Sequence, residues 1–575
     1  MKDTWRNKII LSLFFLLAAT IVCRLIYLQV IQGKFYKSQA LGQQAGFKEI
    51  KGERGEVFFG NSRESHGNIA SLQINNLAIN EDRWLISAVP LLIKNKIEFA
   101  DILSKELKKI LGADQETTKE FILSKLEKSN SYVILKKDLS VNDVSVLREL
   151  KLEGLSLEAS PGRYYPQEEL ASNIIGFFGG ADAGQYGIEG YYDEILRGKE
   201  GISEQKKGFN IITATDSSSL NGADIYLTID HNIQFQAESL LREAYKNISI
   251  ESGQIIVMKP DSGRILAMAN FPSFDPNAYF QENDLEIFQN ATVQKIFEPG
   301  SIFKPFIMGM ALNEGKVTPD STFVDTGNVK IGPDTIYNFN REKYGERDMS
   351  GILEKSINTG VVFLSKMLPH DTFLDYLDKL GFNDKTGIDL QGEVSSRNEI
   401  LRSGSDFGFA TASFGQGIEM TPIQLVSAFS IFANGGKMVK PYVVEKIVQG
   451  QTETITKPHI SREIISPLVA SQVSTMLTNV VERGFGDGAK IKGYYLAGKT
   501  GTAEVPLESG SGYYKDKTVQ SFIGFGPSLK PEFLILVKLD NPKVSRSALS
   551  AVPIFKKLSQ FIINYWQIPP DYEGG

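Results

Sequence analysis

Hydrophobic and polar positions change their spacing several times along the chain, and each change marks an element. Residues 9–23 are uncharged and mostly apolar, and after Arg24 the apolar character resumes over 25–31. Together the two pieces are long enough to cross a bilayer, although the first alone has the length of a signal peptide. Val22 and Cys23 stand where a cleavage site would need small residues, so 9–31 is expected to stay as an anchor. Lys2, Arg6 and Lys8 precede it, which orients the N-terminus to the cytoplasm and everything after the span to the outside.

From there to about residue 220 the pattern is mixed, with charged helical stretches at 101–111 and 116–126 and a strand-like piece at 131–135. A new organisation begins near Gly222. Residues 224–229 alternate as a strand, Asp230 is placed to cap a helix through Tyr245, and two β-rich runs at 254–258 and 264–269 flank Pro260-Asp261-Ser262-Gly263, a hairpin pattern. Helical spacing dominates from Ser301 to about Asn434. Its last helix has Thr421 as cap, Pro422 at the first position and Gly435-Gly436 as the stop. Strands return at 497–502, 520–524 and 532–539. Strands, then helices, then strands imply an α+β fold in which the first and last parts share one sheet.

Composition narrows the chemistry. A chain of 575 residues requires more than one core. Its net charge of -6 argues against nucleic-acid binding through a basic surface. The single cysteine, Cys23, lies in the first apolar run, which excludes disulfides, zinc clusters and a soluble thiol nucleophile; no metal or other cofactor is expected. The four histidines, His66, His231, His370 and His459, have no motif around them and read as surface or capping residues.

One stretch carries candidate chemistry. In Glu298-Pro299-Gly300-Ser301-Ile302-Phe303-Lys304-Pro305, a serine and a lysine stand three apart at the start of a run with almost no polar face. Positions i and i+3 share a helix face, so Lys304 can reach Ser301, which reads as a nucleophile. Two further motifs follow in order, Ser356-Ile357-Asn358 and Lys499-Thr500-Gly501. Each is weak alone, because Ser203-x-x-Lys206, Ser219-x-Asn221, Ser396-x-Asn398 and Lys385-Thr386-Gly387 have the same spacings. Context separates them: Ser301 opens a buried helix, whereas Ser203 lies in a charged loop, and Lys499 lies in a strand whose glycine leaves room for a ligand's backbone, whereas Lys385 lies in a turn.

The ordered set resembles the class B penicillin-binding proteins, membrane-anchored D,D-transpeptidases. The likeness extends to Arg54-Gly55, Arg163-x-Tyr165-Pro166, Gly187-Ile188-Glu189, Phe274-Asp275-Pro276-Asn277 and Ser413-Phe414-Gly415-Gln416-Gly417, and so to nearly the whole chain. Arg483-Gly484-Phe485-Gly486 departs from it, where the family more often has a Gly-Thr-Gly-like turn. The resemblance implies a cytoplasmic tail (1–8), the anchor (9–31), a mixed α/β non-catalytic pedestal (32–220), a transpeptidase domain (221–566) with a five-stranded antiparallel sheet and an all-helical subdomain, and a tail (567–575). It implies Ser301 as nucleophile and Lys304 as its base, pushed towards neutrality by burial beside Lys499. Ser356 would relay a proton to the leaving amine, Asn358 would hold the substrate amide or Lys304, and Lys499, Thr500, Gly501 and Thr502 would bind the substrate. The backbone N–H groups of Ser301 and Thr502 would form the oxyanion hole. Peptidoglycan stem peptides ending in D-Ala-D-Ala are the implied substrate, β-lactams covalent inhibitors, and a polytopic glycosyltransferase the membrane partner, at the bacterial cytoplasmic membrane. A carboxypeptidase or β-lactamase of the same superfamily, or a non-enzymatic β-lactam sensor or scaffold, are the alternatives.

Overall fold

The computed structural model describes residues 48–60, 76–128, 132–180, 182–203, 220–507 and 512–573, together with Phe15, Leu17, Ala18, Thr20 and Val22 in helical conformation. Among the described residues no helix is long and apolar enough to cross a membrane. Apart from those five positions, the anchor expected at 9–31 and the tail at 1–8 lie outside the described residues, as do His66, Lys206 and Ser219. The chain forms two compact units. One comprises Met1–Gly55, Ile195–Ala223 and Gln449–Thr452, in which strand Lys48–Lys51 pairs antiparallel with Glu200–Ser203. The other comprises Glu56–Glu194, Asp224–Val448 and Glu453–Gly575.

In the larger unit, strand Asn76–Ala88 pairs antiparallel with Val133–Leu139 and Leu155–Tyr164. Helices Lys96–Leu111 and Gln115–Lys128 cover these strands with Phe99, Leu103, Leu107, Ile122 and Leu126. Asn95 caps the first by accepting the Glu98 N–H, and Gly112 ends it in the left-handed region at φ 63. The strand expected at 224–229 forms as Asp224–Asp230, but its partners are Val57–Gly60, in parallel, and Val444–Gln449. It therefore belongs to a seven-stranded sheet with Val57–Gly60, Asn76–Ala88, Val133–Leu139, Leu155–Tyr164, Val444–Gln449 and Thr452–Ile455. Alternation identifies a strand and not its neighbour, because pairing is decided by contacts far away in sequence.

The second sheet consists of β1 (Ser252–Met258), β2 (Ile265–Phe271), β3 (Ala497–Pro506), β4 (Tyr513–Gly526) and β5 (Phe533–Asp540). It is antiparallel throughout, in the order β2-β1-β5-β4-β3, so the first and last parts of the segment do meet and β3 lies at the edge. Six helices matter for the site: α1 (His231–Ile248), α2 (Lys304–Asn313), α3 (Asn358–Met367), α4 (Pro422–Ala433), α5 (Pro467–Arg483) and α6 (Ala551–Trp566). Ile233 and Leu241 of α1 and Phe555, Leu558 and Ile562 of α6 pack with Ile255, Val257, Ile535 and Val537 of the sheet. Asp230 caps α1 by accepting the N–H groups of Asn232 and Ile233, as its position suggested.

α2 is buried all round, with every residue from Lys304 to Leu312 enclosed. Phe303, Phe306, Phe382, Phe429 and Phe432 form an aromatic cluster about it. Burial of each large apolar side chain contributes roughly 1.5–3 kcal/mol, which offsets the enclosure of the Lys304 amine. The segment from Ser301 to Asn434 is not all helical. Thr322–Asp325 pairs with Gly345–Asp348, and Asn328–Ile331 with Asp334–Tyr337, both antiparallel. These strands have four residues each and are largely exposed, too short and too little buried to impose a pattern on the sequence.

Three of the segments that carry the resemblance, Arg163-x-Tyr165-Pro166, Gly187-Ile188-Glu189 and Phe274-Asp275-Pro276-Asn277, come together at one place. Arg163 donates to Glu189 at 2.7 Å with both side chains almost completely buried. Tyr165 donates its hydroxyl to the same carboxylate oxygen at 3.3 Å, and its backbone exchanges two hydrogen bonds with the Asn277 side chain. Such a pair adds little net stability, yet losing one partner leaves a buried charge and costs about 3–5 kcal/mol.

Candidate active site

The nucleophile turn is a short 3₁₀ helix, Gly300–Phe303, running directly into α2. The Lys304 N–H bonds to Ser301 O, and Pro305 stands in the first α-helical turn, where its missing N–H is harmless. Two glycines bring this turn close to its neighbours. Gly300 has φ 59, and a Cβ on it would lie 2.8 Å from the Thr502 carbonyl oxygen; a Cβ on Gly415, at φ 82, would lie 2.1 Å from Gly300 O. Ser301 is consequently pressed against β3, and it remains partly exposed.

Lys304 and Lys499 are fully buried. Lys304 Nζ contacts Ser356 O at 2.6 Å, Asn358 Oδ1 at 2.7 Å and Ser356 Oγ at 3.2 Å. The first two oxygens can only accept. A neutral amine gives both N–H groups to them and keeps its lone pair for a hydroxyl proton. Burial, and after it the Lys499 charge, holds the Lys304 amine well below the ordinary lysine range. Burial beside Lys499 was expected from the sequence to have this effect, and of its two parts enclosure is the larger. Burial also lowers Lys499, to about 7.

Ser356 lies between helix Met349–Glu354 and α3 with φ 53, in the left-handed region that serine rarely adopts. That turn directs both its carbonyl and its hydroxyl at Lys304. The same hydroxyl oxygen lies 3.0 Å from Lys499 Nζ, which also contacts Thr500 O at 3.1 Å and Thr500 Oγ1 at 3.3 Å. A hydroxyl that accepts from one amine and donates to the other connects the two lysines through one proton path.

β3 is the sheet edge, so alternate residues along it leave N–H and C=O unpaired. The Thr502 carbonyl faces Gly300, which makes Thr502 one of these, and its N–H points to the same side as the nucleophile turn. Thr500 is buried and Thr502 exposed. The glycine between them was read as leaving room for a ligand. A Cβ on Gly501 would instead meet Ser521 Oγ at 2.3 Å, Ile302 Cγ2 at 3.0 Å and Pro299 O at 3.2 Å, so its lack of a side chain admits the protein's own nucleophile turn.

The competing motifs resolve into structure. The N–H groups of Thr386 and Gly387 donate to the Glu393 carboxylate, closing the turn that contains Lys385. Ser396 and Asn398 serve a loop in which Asn398 accepts the Glu419 N–H. His231 pairs with Gln167, and His370 stacks on Phe409 beside Asp406. Sequence reasoning missed Glu298, three residues before Ser301. Its carboxylate accepts the Gly417 N–H at 2.9 Å and the Tyr513 hydroxyl at 3.2 Å, tying the nucleophile turn to a loop and to β4. Burial, aided by Glu419 and Glu504, raises it to about 7. It also missed Asp325 and Asn338, which stand beneath Asn358.

Comparison with known proteins places the arrangement. The family described as "Penicillin binding protein transpeptidase domain" matches residues 253–560, and "Penicillin-binding Protein dimerisation domain" matches 65–227. Stage V sporulation protein D of Bacillus subtilis is 30% identical over 94% of this chain and 82% of its own length. Peptidoglycan D,D-transpeptidase FtsI of Escherichia coli is 30% identical over 76% of this chain and 73% of its own. The crystal structure of penicillin-binding protein 3 from Mycobacterium tuberculosis complexed with ampicillin superposes with a TM-score of 0.64 at 27% identity, covering 73% of this chain and 92% of that one. A serine–lysine turn, a second serine beside both lysines and an edge strand over the turn define a serine acyltransferase. The chain belongs to the class B penicillin-binding proteins.

Proposed function

We infer that the protein is a peptidoglycan D,D-transpeptidase that cross-links stem peptides through an acyl-enzyme on Ser301. The observation that carries this reading is the pair of buried lysine amines meeting at the Ser356 hydroxyl, beside a partly exposed serine on a turn packed against β3. Ser301 Oγ attacks the carbonyl carbon of the D-Ala-D-Ala bond and its proton passes to neutral Lys304 Nζ. The oxyanion is held by the N–H groups of Ser301 and Thr502, each worth about 3 kcal/mol to the transition state. The C–N bond then breaks, and the departing D-alanine amine takes a proton delivered through Ser356. An acceptor amine attacks the ester, losing a proton, while Ser301 Oγ leaves and regains one. Lys499, Thr500 and Thr502 bind the substrate carboxylate, with Gly501 holding the strand against the nucleophile turn.

The same reading has β-lactams acylating Ser301, because they present a strained amide to this turn. It places the protein in the bacterial cytoplasmic membrane through 9–31, with the N-terminus inside and the catalytic residues outside, on the strength of the uncharged run and the basic residues before it. Residues 32–220 act as a pedestal for a transpeptidase domain at 221–566, and a polytopic glycosyltransferase is the partner at the span. The test is twofold. Ser301→Ala must lose covalent labelling by a fluorescent penicillin, and the wild-type protein given a D-Ala-D-Ala peptide and an amine acceptor must form cross-linked product in preference to hydrolysed peptide. Retained labelling sinks the nucleophile; hydrolysis alone turns the reading into a carboxypeptidase.

A further inference from the structure

We propose that Asp325 is a positioning residue for acylation: through Asn338 and the adjacent Tyr337 carbonyl it fixes which atom of the Asn358 amide faces Lys304. The proposal rests on the reading of Ser301 as nucleophile and Lys304 as base.

Asp325 closes strand Thr322–Asp325 and is 3% exposed. Its two oxygens receive four donors. Thr359 Oγ1 at 2.6 Å and Gly327 N at 2.9 Å bond to Oδ1, and Asn338 Nδ2 and Tyr344 N, both at 2.8 Å, bond to Oδ2. Burial alone would raise this carboxyl, but the four hydrogen bonds outweigh it and hold it below the ordinary aspartate range, ionised and acceptor-only.

An acceptor-only partner settles the rest of the chain of contacts. Asn338 must turn its NH₂ to Asp325, so its Oδ1 faces the other way and accepts the Thr359 N–H at 3.1 Å. That N–H is one of the unpaired donors of the first turn of α3, which Ile357 cannot satisfy with its own side chain. Asn338 thus anchors the strand Asp334–Tyr337 to the start of α3, whose first residue is Asn358. Tyr337, next in the chain, offers its carbonyl oxygen to Asn358 Nδ2 at 3.0 Å. A carbonyl can only accept. The Asn358 NH₂ must therefore face Tyr337, which leaves Oδ1 to accept from Lys304 Nζ at 2.7 Å. Were the amide reversed, its NH₂ would point at the amine and engage the lone pair that has to take the Ser301 proton. The relay keeps that lone pair available.

The experiment measures penicillin acylation of the full-length protein across pH, separating the acylation rate constant from the affinity of the reversible complex, in Asp325→Asn and Asn338→Ala. Asn338→Ala leaves Asp325 its other three donors and serves if Asp325→Asn does not fold. The expected result is an acylation rate constant lowered about tenfold, the low end for a disturbed acid–base group, with affinity unchanged and the ascending limb of the pH profile moved to lower pH, since an NH₂ beside Lys304 disfavours its ammonium form. In an Asn358→Ala background neither substitution should lower the rate further, because the end of the relay is gone. A wild-type rate and profile, or losses that add to that of Asn358→Ala, overturn the proposal while leaving Ser301 in place. Labelling of Ser301→Ala would instead remove the reading beneath it.

Discussion

Lys304 and Lys499 approach the same oxygen: their amine nitrogens lie 3.2 Å and 3.0 Å from Ser356 Oγ. Two ammonium groups this close in a buried site repel, so the pair gives up a proton first from Lys304, which burial and the Lys499 charge both depress. On the proposed mechanism the two like residues take opposite protonation states, one neutral to accept a proton and the other cationic to bind a carboxylate.

Lys304→Arg tests the neutral half of that assignment. An arginine keeps a positive charge at every accessible pH and cannot act as the base. Stopped-flow acylation by penicillin is expected to slow by about 10²–10⁴-fold. A rate within severalfold of wild type would show that a protonated residue 304 suffices.

The pH profile tests both halves together. Acylation at low β-lactam concentration should rise with pH as Lys304 loses its proton and fall as Lys499 loses its own, from about pH 7 in the free protein. Lys499→Met should abolish the descending limb. It should also move the ascending limb to higher pH, because removing a neighbouring cation lets the Lys304 pKa rise. An ascending limb that stays in place would mean the two amines are not coupled.

Gly300→Ala tests the closeness of the nucleophile turn to β3. The new methyl would need to stand at φ 59 and 2.8 Å from Thr502 O, so either the turn or the strand must shift. Strain of this kind costs on the order of 1–3 kcal/mol. Because the proposed oxyanion hole includes the Thr502 N–H, acylation should fall by at least about tenfold at temperatures where circular dichroism reports a folded protein. Wild-type acylation would remove Thr502 from the oxyanion hole.

Glu238, buried on α1, accepts the Ala171 N–H and a Gln234 N–H at 2.8 Å each, joining the residue before the short helix Ser172–Ile175 to the sheet-covering helix. Burial raises its carboxyl from 4.5 to about 7. Between those values the folded protein holds a proton that the unfolded chain has released, so this group's contribution to stability is complete below 4.5 and is lost as pH rises towards 7. Glu238→Gln has no such loss. In urea titrations, its stability relative to wild type should increase with pH through that window, by at most about 1.4 kcal/mol per unit. Parallel curves for the two proteins would disprove the burial argument.

Local chemistry made much of the molecule legible in advance. The caps Asp230 and Thr421, the hairpin around Pro260 and the buried run after Ser301 depend on residues within a turn of one another, and each stands where the sequence put it. The partner of the strand at 224–230, the short strands between Thr322 and Asp348 and the facing of Gly501 were not legible, because each is decided by atoms far away in the chain.

The serine–lysine stretch shows where the division falls. That Ser301 and Lys304 share a turn at the head of an apolar helix follows from the neighbouring residues alone, since i,i+3 spacing and hydrophobic content are local properties. What Lys304 meets there depends on the folded chain: a serine in a left-handed turn, an amide oriented from beneath by Asp325, and a second buried amine nearly 200 residues on. A proton affinity is set by every charge and dipole within a few ångströms, and distance along the chain carries no information about that shell.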